Sequence, residues 1–375
     1  MRNRLLIGSL LCCWLLTPAG IVAQTNSIPE PVYMEPAPRG MTRFFFDDRY
    51  YLTDKHCEFK QVERLARYLI AEQVSDGDFT DFGPDGKPVL EGTYRNGRKN
   101  GTFKAYHPTG KLKWTARFEE DLPTDVWNYY YPDGRPLMEV AFENNRPSLR
   151  NMWDQRGRLQ VKDGKGRYSF TVPSDTFNEY GYDAVTFSGR IREGVPHGNW
   201  HIEYLFADGK KEQAGYEWYS DGFLTQGYDY YTGRHYKEPR FSLLLPEHFT
   251  RAEELTGKTC TIDDYLGYTE FLGKRLENAF ILYNATALLP QEIEFRVHID
   301  KTGEPEKVEP VHTLPEPKAA AILLRAIESV EYWLPSYADG EYIADILTVT
   351  ANIFPSLTTG LLEFYSVQIT REKGR

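Results

Sequence analysis

The sequence is sparing in cysteine and methionine: four Cys and five Met in 375 residues. Four cysteines in a chain of this length do not make a disulfide-rich miniprotein. Positive charge is also short. Lys and Arg total 44 against 54 Asp and Glu, a net charge of −10, and no basic stripe appears locally. A phosphate backbone is repelled by that average field, so nucleic-acid binding is excluded as an expectation. After the N-terminal segment, no run is long and apolar enough to cross a membrane as a helix. Catalytic signatures are missing as well. There is no Gly-x-Ser-x-Gly elbow, no His-Glu-x-x-His, no phosphate loop and no Cys-x-x-Cys. The acidic run Asp76, Asp78, Asp81 and Asp85 misses calcium-loop spacing and reads as turn residues. The reading is a non-enzymatic chain with no catalytic residue, no metal and no cofactor.

What is present is aromatic and repetitive. Aromatics make up 14%, with 26 Tyr and 21 Phe, and such residues suit pleated, half-buried surfaces. Residues 92–103 and 189–200 carry glycines at matching places: Gly92, Gly97 and Gly101, then Gly189, Gly194 and Gly198. An aromatic closes each copy, Phe103 and Trp200. A fixed repeat implies units that bury one face on their neighbours. Between residues 75 and 238, turn signals such as Asn96-Gly97, Pro132-Asp133-Gly134 and Asp208-Gly209 separate short alternating stretches. Leu112, Trp114, Ala116 and Phe118 share one face; Met138, Val140 and Phe142 repeat it, and Trp200, Ile202, Tyr204 and Phe206 form another such set. Period two predicts half-buried strands in hairpins of about 24 residues. The stretch 165–186 departs from the pattern and reads as an insertion.

The ends read differently. Arg2 and Arg4, the apolar run Leu5 to Leu16, then Pro18, Gly20 and Ala23 have the form of a secretory signal peptide over 1–23. An uncleaved anchor is the competing reading. Residues 24–42 bear four prolines and read as a linker. Residues 43–74 read as an N-terminal cap: a strand over Arg43–Phe46, then a helix with Val62, Leu65, Leu69 and Ile70 at helical spacing. Residues 239–260 form a connector. Beyond it the predicted order is helix (262–280), strand, strand, helix (319–330) and a last strand (342–354), with 356–375 as a tail. Export permits a bridge between Cys57 and Cys260, which sequence leaves open against two free thiols.

Two resemblances follow from these residues. The Gly-x-Tyr-x-Asn-Gly-x-x-x-Gly-x-Phe unit and its copies resemble MORN-type repeats, most closely the bacterial YwqK antitoxin-type variant, over roughly residues 75–235. The resemblance implies a fold, and its glycines imply close aromatic packing between hairpins. Glu294 to Gly303, Trp333-Leu334-Pro335 and Asn352 to Phe354 resemble the C-terminal domain of TonB-type energy transducers, over about 261–355. Together they imply an α+β chain: an antiparallel hairpin-repeat sheet followed by a small TonB-like α/β module. They also imply an exported cell-envelope scaffold of a Gram-negative periplasm. It would bind another envelope protein or peptide by strand addition at an edge holding Tyr342, Ile343, Leu347, Val349 and Ile353. A membrane-anchored energy transducer is the second reading.

Overall fold

The computed structural model describes residues 30–375. The expected signal segment 1–23, with Cys12 and Cys13, and the first six residues of the expected linker lie outside the described residues. Val32–Arg375 form one compact unit.

Its body is an 18-stranded antiparallel sheet. Successive strands pair as hairpins joined by short turns require, except that Arg98–Lys99 and Gly101–Tyr106 both pair with Pro88–Arg95. Leu112–Glu119 shows why the chain folds this way. Trp114, Ala116 and Phe118 are buried, and the residues between them face out. Val195–Leu205 repeats this with Trp200, Ile202 and Tyr204. In the turn between Pro88–Arg95 and Arg98–Lys99, Asn96 and Gly97 have φ of 49° and 79°, the two positive angles a tight hairpin needs. The inward residues form one continuous core from Phe44 to Trp200 and Tyr219.

The expected connector closes that core. Phe241, Leu243, Phe249 and Ala252 lie buried across the sheet's inner face. Phe241 packs on Trp200 at 4.1 Å between ring centroids, and Phe249 on Trp114 at 5.7 Å. Each such burial is worth roughly 1.5–3 kcal/mol. Residues 239–255 thus act as a strap over the concave side of the repeats.

The remainder is a four-stranded antiparallel sheet in the order Pro305–His312, Gln291–Ile299, Asp345–Pro355, Leu362–Arg371. Helices Tyr268–Ala279 and Pro317–Glu328 cover it and share its core, with Leu272, Leu276, Leu323, Ile327 and Trp333 fully buried. Thr261 caps the short helix Ile262–Tyr265, and Gly267, at φ 73°, separates it from the next. Glu316 caps Pro317–Glu328, whose Pro317 stands at the first turn where no N–H is missed.

Several expectations are corrected. The α+β class with a TonB-like α/β module does not hold: the described residues are 51% strand and 10% helix. The protein is β-rich. The predicted helix around Val62, Leu65, Leu69 and Ile70 is the strand Val62–Leu69. Its buried positions are Val62, Arg64 and Ala66, so period two was masked by a buried arginine. The expected linker supplies the strand Met34–Ala37, paired with Met41–Phe46. The expected insertion is regular: Lys165–Pro173 pairs with Ala184–Arg192 along its whole length, and the departure is confined to the loop 174–183. The expected tail supplies Leu362–Arg371, which pairs with Asp345–Pro355. That pairing removes the proposed edge. Leu347, Val349 and Ile353 are buried in an inner strand with partners on both sides. Tyr342 and Ile343 belong to the separate two-stranded ribbon Ser336–Ala338 and Glu341–Ile343.

Candidate functional site

The six repeat glycines divide by role. At Gly92 an added Cβ would sit 2.6 Å from the Phe103 ring, and at Gly189 it would sit 2.2 Å from the Trp200 indole. These two let the aromatic of the next strand lie flat on the backbone. Gly97, Gly101, Gly194 and Gly198 all have positive φ; Gly97 and Gly194 shape turns, Gly101 opens the strand Gly101–Tyr106, and Gly198 lies inside Val195–Leu205. All six serve the architecture of the sheet.

Cys57 and Cys260 form a disulfide, with Cα atoms 5.6 Å apart across a sequence separation of 203. It belongs to a seam between the two sheets. There Arg49 is buried and donates to the carbonyls of Asp264 and Tyr265 at 2.6 and 2.7 Å. Phe59 stacks on Tyr265 at 4.5 Å. Glu270 accepts from Lys258 at 2.7 Å and from the Tyr51 hydroxyl. Burial acts to raise its pKa, but the bonds from Lys258 and Tyr51 prevail and hold its carboxyl at about 2. Phe177 reaches from the loop 174–183 onto Tyr268 and Phe271.

The sheet edges are poor partners for another strand. Pro305–His312 contains Pro305 and Pro310 and lacks two N–H donors. On Leu362–Arg371 the Phe364 N–H is taken by the Glu277 carboxylate at 3.2 Å. In the large sheet the terminal strands Met34–Ala37 and Arg234–Tyr236 have four and three residues.

The main concavity lies inside the repeat sheet: a cavity of about 1200 Å³ beside the strap. Its floor is the apolar face of the repeats, including Leu90, Ala105, Trp114, Leu137 and Met152. Beside the hairpin turns the lining carries Tyr106, Tyr130 and Trp153 at matching repeat positions, with Tyr131 next to them. The lining also includes Phe170 and Val172 of Lys165–Pro173 and strap residues Leu245 to Phe249.

Several polar groups here are bonded to one another. Tyr131 donates to the Trp153 carbonyl at 2.9 Å, which chains one hairpin turn to the next. Tyr106 donates to Glu91 at 2.8 Å; burial and that bond push its hydroxyl up to about 12. Glu247 accepts from the Trp114 indole at 2.7 Å and pairs with Lys113 at 2.9 Å. Arg158 pairs with Asp154 at 2.7 Å. His248 of the strap pairs with Asp175, and that hydrogen bond draws the Asp175 carboxyl below the usual range. Such a lining suits binding by shape and apolar contact. Among the described residues no cluster of three His, Cys, Asp or Glu side chains is arranged to hold a metal ion.

Sequence reasoning had not marked this cavity. The signal was in the turns: Tyr106-His107-Pro108 and Tyr130-Tyr131-Pro132 precede their glycines 24 residues apart, outside the inward-facing sets. A second signal was the apolar run Phe241 to Leu245 between Pro239 and Pro246, which has no strand or helix period.

No protein-family model and no curated protein matches the chain.

Proposed function

We propose that this chain is a non-enzymatic, exported scaffold of the cell envelope that binds a partner on the concave face of its repeat sheet. The observation carrying the reading is the cavity of about 1200 Å³ on the repeats' aromatic face, with Glu247, Asp154 and Tyr131 already bonded to neighbours. The strand-addition route loses support, because its expected strand is internal and the outer strands are short, proline-bearing or capped. The partner is still taken to be a protein or peptide, and the cavity replaces the edge as its seat. Export rests on the N-terminal sequence and on the bridged cysteines, which suit an oxidising compartment.

The test is a photo-crosslinking residue placed at Tyr131 on the cavity rim, and separately at Tyr365 on the outer strand, in the full chain inside the producing cell. Adducts of one defined protein from Tyr131 alone support the reading. Adducts from Tyr365 alone return the binding site to the strand edge and overturn it.

A further inference from the structure

The strap shows what the concave face accepts. Residues 239–255 cross it with Phe241, Leu243 and Phe249 pressed onto Tyr168, Trp200, Phe103 and Trp114. The chain therefore already lays an apolar and aromatic segment of itself into this groove, and the cavity continues the groove alongside Leu245 to Phe249.

We infer that the cavity is the seat of a second peptide segment: an extended, uncharged stretch of a partner, rich in leucine and aromatic residues, lying beside the strap. The inference rests on the functional reading above and names the chemistry of its partner. Three observations carry it. The first is continuity with the strap. The second is size: about 1200 Å³ exceeds the roughly 300–1000 Å³ of ordinary small-molecule pockets. The third is charge. Leu90, Ala105, Leu137 and Met152 on the floor offer no polar partner to a charge, and Lys113 and Arg158 of the lining already face Glu247 and Asp154. Gln61, Gln155 and Ser169 also line the cavity and supply amide and hydroxyl groups for the backbone of an extended peptide.

The experiment uses the purified, oxidised full chain and fluorescence anisotropy. The probe is a fluorescein-labelled synthetic peptide copying residues 241–246, the strap's uncharged stretch Phe-Ser-Leu-Leu-Leu-Pro. A control peptide has aspartate at the three leucine positions 243–245, and sodium laurate serves as a competitor. Two variants alter the cavity: Ser169→Trp fills it from an exposed position, and Trp153→Ala removes a rim aromatic. Tyr365→Ala alters the outer strand and leaves the cavity intact. Thermal melts identify any variant that fails to fold.

The expected result is saturable binding of the strap peptide, weakened at least tenfold by a folded cavity variant and unchanged by Tyr365→Ala. The aspartate peptide should not bind. Three results would overturn the inference: no binding of the strap peptide, binding indifferent to the cavity variants, or laurate binding at the cavity where the peptide does not bind. A failure here with persistent Tyr131 crosslinks in cells would reject the peptide chemistry and leave the scaffold reading standing. Loss of both would reject the two together.

Discussion

At the scale of single residues, glycine is used in two physically different ways in this repeat. Gly189 is small because Trp200 lies on it; Gly198, inside the strand Val195–Leu205, takes a φ of 71° with nothing within 4 Å of an added Cβ. The two substitutions to alanine should therefore behave differently. Gly189→Ala overpacks the sheet and is expected to cost about 1–3 kcal/mol. Gly198→Ala pays only for its left-handed backbone, about 1–2 kcal/mol. Magnitude alone does not separate them, but coupling does. In a Trp200→Leu background there is room for the new methyl, so Gly189→Ala should lose much of its cost. Gly198→Ala should keep all of its cost there. Urea midpoints of the four variants and their combinations measure this; additive costs at Gly189 would refute the close-packing account.

Elements were legible where one period governed them and illegible where burial depended on a partner elsewhere. The hairpins of Leu112–Glu119 and Val195–Leu205 alternate cleanly, and turn glycines Gly110, Gly194 and Gly209 flank them. Val62–Leu69 was misread because Arg64 fills an inward position. An arginine is buried there only because Asp81, on the next strand, meets it with two bonds of 2.7 and 2.9 Å. Nothing local to residues 62–70 encodes that. The candidate edge failed for a similar reason: whether Asp345–Pro355 is outer or inner depends on Leu362–Arg371, which pairs only after the chain turns back. The cavity was least legible, since its walls come from several hairpins and from a strap without periodicity.

The seam that holds the sheets together also operates at the element scale, and it titrates. Glu270 has a folded pKa of about 2 against an ordinary 4.5. A depressed carboxyl stabilises the fold fully above its unfolded value and loses that contribution as pH falls toward 2. Replacing Glu270 with glutamine should therefore lower the melting temperature at pH 7, by an amount equivalent to about 1.5–3 kcal/mol for a charge-assisted cluster. The gap from the parent protein should narrow steadily between pH 4.5 and pH 2. A gap that stays constant across this window would show that the Glu270 charge is not what joins the elements.

Across the whole molecule, two cores are tied into one unit by few bonds. The repeat core encloses Trp200, and the core of the smaller sheet encloses Trp333; both indoles are fully buried. Between them stand the Cys57–Cys260 bridge, the Arg49 bonds, the Glu270 cluster and the Phe177 contacts. A bridge closing 203 residues restricts the unfolded chain by up to about 5 kcal/mol in the chain-entropy model, the largest single contribution at the seam. While it is closed, neither core should open without the other, and the unit should unfold in one step. With the bridge reduced and Glu270→Gln introduced, the remaining contacts are too few to equalise two cores of different size. The smaller sheet should then open first, as a separate cooperative unit. Fluorine NMR of 5-fluorotryptophan protein follows this directly, because the Trp200 and Trp333 signals report one core each. In urea their midpoints should coincide in the oxidised parent and separate in the reduced variant, with Trp333 lost at lower urea. Coincident midpoints in both states would mean that the Arg49 bonds, the Phe59–Tyr265 stack and Phe177 suffice to couple the cores, and that the disulfide adds stability without adding unity.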